Sequence, residues 1–298
     1  MEKLPNFKLT KTFELPFIEF KKKIVNRFSP EPSGYLHLGH IKAILINFFL
    51  SKKYNGEFIL RFDDTNCENE LFEFEKVIKE DIKNLLKISP DRISNTSDYF
   101  IKIIQFADIL VKNGLAYVDD TNKETIRKER LERISNKNRS SSIENNDHLW
   151  ENMKKGILQN NILRIKINMN SNNASLRDPT IFRSTISSHY KTKNDFYVYP
   201  TYDFACPIID HLEGVTHVLR STEFSERDEQ YKIILNLLKL ENIFLGSYGK
   251  KNFQNVVMGK RKIRELNKIF DKLKSKSCQS IFICNNYFPL IKFSLMHS

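Results

Sequence analysis

Apolar residues recur in "HIKAILINFFLSKKY" (40–54) at Ile41, Ile44, Leu45, Phe48 and Phe49, the i, i+3, i+4, i+7, i+8 spacing of a helix that buries one side. Before it, "IVNRF" (24–28) reads as a short buried strand. After Asn55-Gly56, "EFILRF" (57–62) reads as another. Strand, helix and strand within about forty residues predict a parallel pair joined by a right-handed crossover. A second stripe, Tyr231, Ile234, Leu235 and Leu238, predicts a helix whose start is marked by Ser225 and Asp228 as a capping box, with Glu226 and Glu229 in its first turn. Between these regions lie an amphipathic patch around Trp150 and Met153 and the stretch "ILRIKINMNSNNASLRDPTIFR" (162–183), which alternates as strands do, with Asp178-Pro179 as a turn. A last amphipathic helix is marked by Ile263, Leu266, Phe270 and Leu273.

Length and charge extend this picture. At 298 residues the chain has room for two domains, or for one with a large insertion. Its 48 basic and 36 acidic side chains leave +12, unevenly spread: residues 250–276 hold ten basic and two acidic residues, and 122–139, read as a basic helix, hold seven and three. Such stripes suit a polyanion or an idle solvated face equally well. Cys67, Cys206, Cys278 and Cys284 form no CxxC pair and have no histidine at zinc-finger spacing, so reduced thiols and no structural metal are expected. The first 23 residues lack the apolar run of a signal peptide, and the apolar tail is broken by two Asn, a Pro and a Lys. A soluble, cytoplasmic protein with no membrane partner is the expectation.

In a β-α-β unit, ligands sit beyond the carboxyl ends of the strands, where a helix start offers N–H groups and a positive dipole end. "RFSPEPSGYLHLGH" (27–40) and "DDTN" (63–66) both fall there. His37 and His40 then stand at the first turn of the helix, placed to donate to phosphate oxygens, with Gly39 leaving room for a nucleotide.

These residues carry a resemblance. "RFSPEPSGYLHLGH", with His37-Leu38-Gly39-His40, resembles the signature of class I aminoacyl-tRNA synthetases. "LRFDDTN" and "YPTYDFACPIIDHLEGVTHVLRSTEF" (199–224) are similar to the glutamyl/glutaminyl subgroup in its eukaryotic or archaeal form, and "VMGKRKI" (257–263) to its KMSKS loop. The resemblance runs from about 24 to 270 and implies an α/β fold: a Rossmann-type parallel-sheet catalytic domain with an inserted acceptor-binding α+β domain and no anticodon-binding β-barrel. The implied division is an N-terminal extension (1–23), the first catalytic half (24–115), the insertion (116–195), the second half (196–245), and a KMSKS-like loop with a truncated helical segment (246–298).

The implied reaction joins L-glutamate to tRNA through a glutamyl-adenylate, with ATP and Mg²⁺ but no dedicated protein metal site. His37 and His40 would meet the α-phosphate, and Lys260 the departing pyrophosphate. Glu31, Pro32, Ser33, Gly39, Lys42, Lys250, Lys251, Met258 and Gly259 would surround ATP, with Ser221 by the ribose. Gly259 stands where the loop usually has Ser, and Lys251 where an apolar residue is usual. Asp63 and Tyr202 would receive the α-ammonium. Arg27 and Ser29 would approach the side chain, and Cys206 would line the pocket. Arg220, after "THVL", holds the place that separates glutamate from glutamine: a guanidinium fork matches a carboxylate, and a neutral amide leaves it unpaired. The partner is the tRNA acceptor end, not DNA, with tRNA choice resting on the insertion, the basic tail or a second chain that reads the anticodon. A glutamine–tRNA ligase and a non-catalytic tRNA-binding remnant are the alternatives, the first opposed by Arg220 and the second by the intact donors on both sides of the ATP site.

Overall fold

A computed structural model describes residues 23–67 and 72–249. Its centre is a parallel sheet made of β1 (Val25–Phe28), β2 (Glu57–Phe62), β3 (Arg92–Asn95), β8 (His217–Ser221) and β9 (Phe244–Tyr248), in the order β3-β2-β1-β8-β9. Strand β1 pairs in parallel with β2 on one side and β8 on the other. The strand order therefore reverses beside β1, and the crevice outside its carboxyl end is where such sheets bind ligands.

Helix α1 (Leu38–Lys53) crosses from β1 to β2 as the apolar spacing predicts, burying Ile41, Ile44 and Phe48, while Leu45 and Phe49 are half-buried at the edge. Ile44 and Phe48 pack with Phe58, Leu60 and Phe62 of β2 and with Ile78 and Ile82 of α2 (Phe72–Asn84). Gly56 turns the chain into β2 because any side chain there would lie 2.3 Å from the Ile24 carbonyl.

After α3 (Phe100–Lys112), strands β4 (Ala116–Asp119), β5 (Ile162–Ile165), β6 (Thr180–Ser184) and β7 (Val198–Pro200) form a separate antiparallel sheet, with α4 (Lys123–Glu132) and α5 (Ile143–Lys154) between β4 and β5. One apolar cluster ties this unit to the parallel sheet, running from Ile103 and Leu110 of α3 through Trp150, Leu163 and Phe182 to Phe204 and Ile208 of α6 (Tyr202–Leu212) and Ile234 of α7 (Asp228–Leu237). Among the described residues, no helix is long and apolar enough to cross a membrane.

Three local expectations are corrected. The basic helix of 122–139 stops at Glu132. Arg133 adopts a left-handed conformation (φ 63°), and Asn136 folds back to bond Glu129 and Thr121 at 2.8 and 2.9 Å, so the stripe is split between α4 and a 3-10 turn over Lys137–Ser140. The alternation of 162–183 forms two strands only at its ends. Between them, Asp178 is fully buried at φ 42° and accepts from Arg139 at 2.6 Å and the Ile167 amide at 2.8 Å, which anchors an irregular segment in place of a ladder. The capping box of Ser225 and Asp228 is not formed: Thr222–Arg227 winds first as a 3-10 helix, Ser225 Oγ donates to the Thr222 carbonyl at 2.7 Å, and α7 begins only at Asp228.

Candidate active site

His37 is the N-cap of α1, one position ahead of the helix. Its Nδ1 accepts from the Gly39 and His40 amides at 3.1 and 3.4 Å, and His40 Nδ1 accepts from the His37 amide at 3.3 Å, so the two imidazoles make a reciprocal capping box. A neutral imidazole that accepts at Nδ1 carries its proton on Nε2. Both rings are therefore set as Nε2 donors, stacked with centroids 3.7 Å apart. The Gly39 and His40 amides, which the sequence offers to a phosphate, are instead engaged by His37.

Gly39 makes this stack fit. A Cβ there would stand 2.9 Å from His37 Cε1, so the missing side chain clears the imidazole before it clears any nucleotide. Gly39→Ala is expected to change stability by no more than about 1 kcal/mol in either direction, because the gain in helix propensity is offset by the loosened His37 cap. For the adenylate-forming reaction that the sequence resemblance implies, kcat is expected to fall about tenfold as the His37 ring is displaced, because misplaced groups lose rate steeply. Melting curves beside ATP–pyrophosphate exchange check the pair of outcomes.

The other nucleotide-side residues gather around the same corner. The Ser33 amide bonds the Glu31 carbonyl at 2.9 Å, with Pro32 and Ser33 buried, and the Asp63 amide reaches across to the Pro30 carbonyl at 2.9 Å, joining the ends of β1 and β2. Lys42 Nζ donates to the Gly249 carbonyl at 2.6 Å and lies over the Tyr248 ring, fastening α1 to the end of β9. Ser221 ends β8, opposite Tyr248. Ser29 lies at the end of β1 with its hydroxyl buried and without a hydrogen-bond partner among the described residues. Lys250, Lys251, Met258, Gly259 and Lys260 lie outside the described residues, as do the last predicted helix, Cys278 and Cys284.

The two acids of "DDTN" part ways. Asp64 is fully buried and accepts from the Ser97 amide (2.8 Å), Ser97 Oγ (2.6 Å) and Asn95 Nδ2 (3.3 Å), while His189 Nε2 contacts its carbonyl at 3.0 Å. It holds β2 to the end of β3 and to the segment that joins β6 to β7. Asp63 is half-buried, with the Thr65 hydroxyl donating to it at 3.1 Å. Burial, and after it the neighbouring Asp64 and Glu31, push its carboxyl up to about 7.

Beneath these groups lies a floor of charges that the sequence reading did not connect. Arg27, on β1, places Nε 3.1 Å from Asp210 Oδ1, one terminal nitrogen 3.3 Å from Oδ2, and that same nitrogen 3.2 Å from Cys206 Sγ. Arg61, on β2, donates to Asp210 at 2.6 Å and to Glu213 at 2.8 Å. Tyr231 Oη donates to Asp210 at 2.9 Å, and Tyr99 and Ser94 donate to Glu213. Burial works against the Asp210 carboxylate, but Arg27 and Arg61 outweigh it and hold the group well below the usual carboxylate range. Burial raises the Cys206 thiol and the Tyr202 phenol, so both are neutral donors near neutral pH. Among the described residues, Asp210 thus engages two of the three nitrogens of the Arg27 side chain. One signal was in the sequence: Cys206, Asp210 and Glu213 recur at four and three residues, the spacing of one helix face.

Arg220, next to last in β8, is only 6% exposed. Its guanidinium carbon lies 5.2 Å from the centre of the Tyr231 ring and 5.7 Å from that of Phe224, and one terminal nitrogen is ion-paired with Asp228 at the start of α7. Tyr202, at the first position of α6, lies within the electrostatic reach of both Arg27 and Arg220 and packs near Phe224. The crevice thus joins Arg27, Tyr202, Cys206 and Arg220 around the ends of β1 and β8. The two histidines stand above them at the start of α1. Among the described residues, no group of three or more His, Cys, Asp or Glu side chains is arranged to hold a metal ion.

Comparison with known proteins adds to this geometry. Residues 23–285 match the family model described as tRNA synthetases class I (E and Q), catalytic domain, so the match continues past residue 270, where the motif resemblance ends. The chain is 49% identical over 255 residues to the bifunctional glutamate/proline–tRNA ligase of Mus musculus, covering 85% of this chain and 17% of that protein. It is 41% identical over 256 residues to the cytoplasmic glutamate–tRNA ligase of Saccharomyces cerevisiae, covering 85% and 36%. The chain therefore spans about a third of the yeast protein and less of the mouse one. Among solved structures, the glutamate–tRNA synthetase of Elizabethkingia anophelis superposes with a TM-score of 0.61 at 22% identity, over 83% of this chain and 54% of that one, a likeness of fold.

Proposed function

This chain belongs to the catalytic-domain family of class I tRNA synthetases for glutamate and glutamine, and from that premise we propose that it activates L-glutamate with ATP and ligates it to tRNA(Glu) in the cytoplasm, for protein synthesis. The observation that carries the choice of glutamate is Arg220: a buried guanidinium near the end of β8, bracketed by Phe224 and Tyr231, which with Arg27 acts electrostatically on Tyr202 and Cys206. Relatives named glutamate–tRNA ligases at 41–49% identity support it.

In the first step, a carboxylate oxygen of glutamate attacks the α-phosphorus of ATP and the bond to the β-phosphate breaks. Charge moves onto the leaving pyrophosphate, so positioning and electrostatic stabilisation do most of the work. The Nε2 donors of His37 and His40 meet the α-phosphate oxygens in this reading. Glu31, Pro32, Ser33, Gly39 and Lys42 shape the nucleotide corner, Ser221 lies by the ribose, and the loop carrying Lys260 neutralises pyrophosphate. Among the described residues no set of ligands fits a metal ion, and Mg²⁺ would arrive on the nucleotide's own phosphates, where it would offset their charge. Asp63 and Tyr202 take the α-ammonium, while Arg220, Arg27 and Ser29 face the side-chain end above Cys206. In the second step, a ribose hydroxyl of the tRNA terminus attacks the glutamyl carbonyl and AMP departs. The antiparallel sheet with α4 and α5 is assigned to the acceptor end, its basic residues meeting phosphates without reading sequence.

ATP–pyrophosphate exchange with glutamate and glutamine side by side, with and without tRNA, tests this reading. Glutamate-dependent exchange is expected, and no exchange under either condition would count against an enzyme. The same assay yields a pH prediction. The ammonium needs Asp63 as a carboxylate, and that carboxyl is raised to about 7. KM for the amino acid is therefore expected to rise as pH falls through about 7 and to level off above it, whereas Asp63→Asn shows a high KM with little dependence on pH. For stability the sign is opposite: a raised carboxyl favours the fold at low pH, and that contribution fades as pH climbs toward 7.

A further inference from the structure

Beneath Tyr202 the fixed charges already cancel before any substrate arrives. Arg27 and Arg61 face Asp210 and Glu213, and Arg220 faces Asp228. Cys206, Tyr202 and Tyr231 add no charge near neutral pH, because burial raises each of them. Three guanidiniums thus stand against three carboxylates. A floor so balanced has no net charge with which to prefer an incoming carboxylate to a neutral amide: a fourth carboxylate would make it net negative, and an amide would leave it neutral. The preference that Arg220 offers an acid is strongest if one of the three resident carboxylates steps aside.

Their surroundings single out one. Asp210 is fully buried and shared by two guanidiniums and a tyrosine hydroxyl, and Glu213 is buried among Arg61, Ser94 and Tyr99. Neither can rehydrate. Asp228 has a side chain 32% exposed and holds Arg220 from the rim. It also opens α7, whose N-terminal end favours a carboxylate whether or not Arg220 holds it. The neighbouring cation, Arg227, is held by both oxygens of Asp203 at 3.0 Å and is not poised to take its place.

We propose that Asp228 is an exchangeable stand-in for the side-chain carboxylate of the substrate: it occupies Arg220 in the empty site and yields that guanidinium to an acidic amino acid. The inference rests on the glutamate reading above and adds to it a reason for selectivity. A ligand with its own carboxylate replaces Asp228 charge for charge. A neutral amide cannot, and meets a site in which one terminal nitrogen of Arg220 is already paired with Asp228. No covalent step is involved, and Asp228 acts through Arg220 as a specificity-determining residue.

The test compares the whole chain with its Asp228→Asn and Asp228→Glu variants, measuring KM and kcat for glutamate and glutamine by pyrophosphate exchange in the presence of tRNA. Thermal midpoints with and without saturating glutamate give a second readout that needs no turnover. In Asp228→Asn, KM for glutamate is expected to fall about threefold to tenfold with kcat within about twofold, the range for a lost partly exposed ion pair. KM for glutamine should change less, because an ionised acceptor gains more from a freed guanidinium. The ligand-free midpoint falls and glutamate recovers it, so the stabilisation by glutamate exceeds that of the parent chain. Asp228→Glu returns toward parent values, and Asp228→Ser should match Asp228→Asn. An unchanged or raised KM for glutamate in Asp228→Asn, or an unchanged stabilisation by glutamate, overturns the exchange and makes Asp228 a fixed support of Arg220. Failure of the parent chain to respond to glutamate strikes the functional reading instead.

Discussion

Glutamate activation by an Arg220→Ala variant is expected to fall by roughly two to three orders of magnitude in kcat/KM, the equivalent of about 3–4 kcal/mol for a substrate carboxylate that loses its buried partner. The effect should be specific to the acid. Glutamine presents no charge to that position, so its weak activation should change by less than about tenfold and discrimination should collapse. The variant should still fold, because the partner left behind, Asp228, is partly exposed and rehydrates in place. A drop in midpoint of only a few degrees is expected for a chain of this size. Pyrophosphate exchange over a range of both amino acids, read beside a melting curve, measures the two effects separately. A loss of glutamate activity below about threefold would remove Arg220 from the site.

The second large effect is on the fold. Asp210→Asn keeps the shape of the side chain but leaves Arg27 and Arg61, both nearly fully buried, with Glu213 as their one remaining carboxylate among the described residues. Breaking one side of such a pair is expected to destabilise by about 3–5 kcal/mol, a fall in midpoint of roughly 10 °C for a chain of this length. The pH dependence identifies the cause. Asp210 is held below the ordinary carboxylate range, so its contribution is complete above the unfolded pKa of about 4 and is lost only as pH falls below it. The gap in midpoint between parent and variant should therefore be constant from about pH 6 to 8 and narrow in acid. Replacement by Asn of an exposed acid such as Glu124 should open no comparable gap.

These two residues differ in how visible they are along the chain. Arg220 sits in a contiguous stretch, "THVLRSTEF", whose resemblance places it without any structure. Asp210 sits in "PIIDHLEG" as one acid among apolar residues, and only its partners give it meaning. The same contrast runs through the nucleotide side. The spacing of His37 and His40 was plain, but their mutual capping through Nδ1, which sets both rings as Nε2 donors, depends on the start of α1 and on the space left by Gly39. Asp63 and Asp64 are adjacent and chemically identical. The docking of β3 and of the segment around His189 turns Asp64 inward and leaves Asp63 at the crevice.

Local order was therefore settled along the chain: the β1-α1-β2 unit, the apolar stripe of α7 and the positions of the histidines and Arg220 all depend on residues within a few turns of one another. Where helices start and stop was less legible, as α4 and α7 show, because a single left-handed residue or a 3-10 turn is selected by contacts remote in sequence as well as local ones, such as Arg133 with Asn172 and Ser175 with the Glu226 carbonyl. Charge is the sharper case. Arg27 and Asp210 lie 183 positions apart and Arg61 and Glu213 152. The strand order β2-β1-β8, with α6 packed behind it, is what brings them within 3 Å or so, and a tally of lysines, arginines and acids along a chain carries no information about which of them are already neutralised. Only folding decides how much positive potential the crevice has left to offer a substrate.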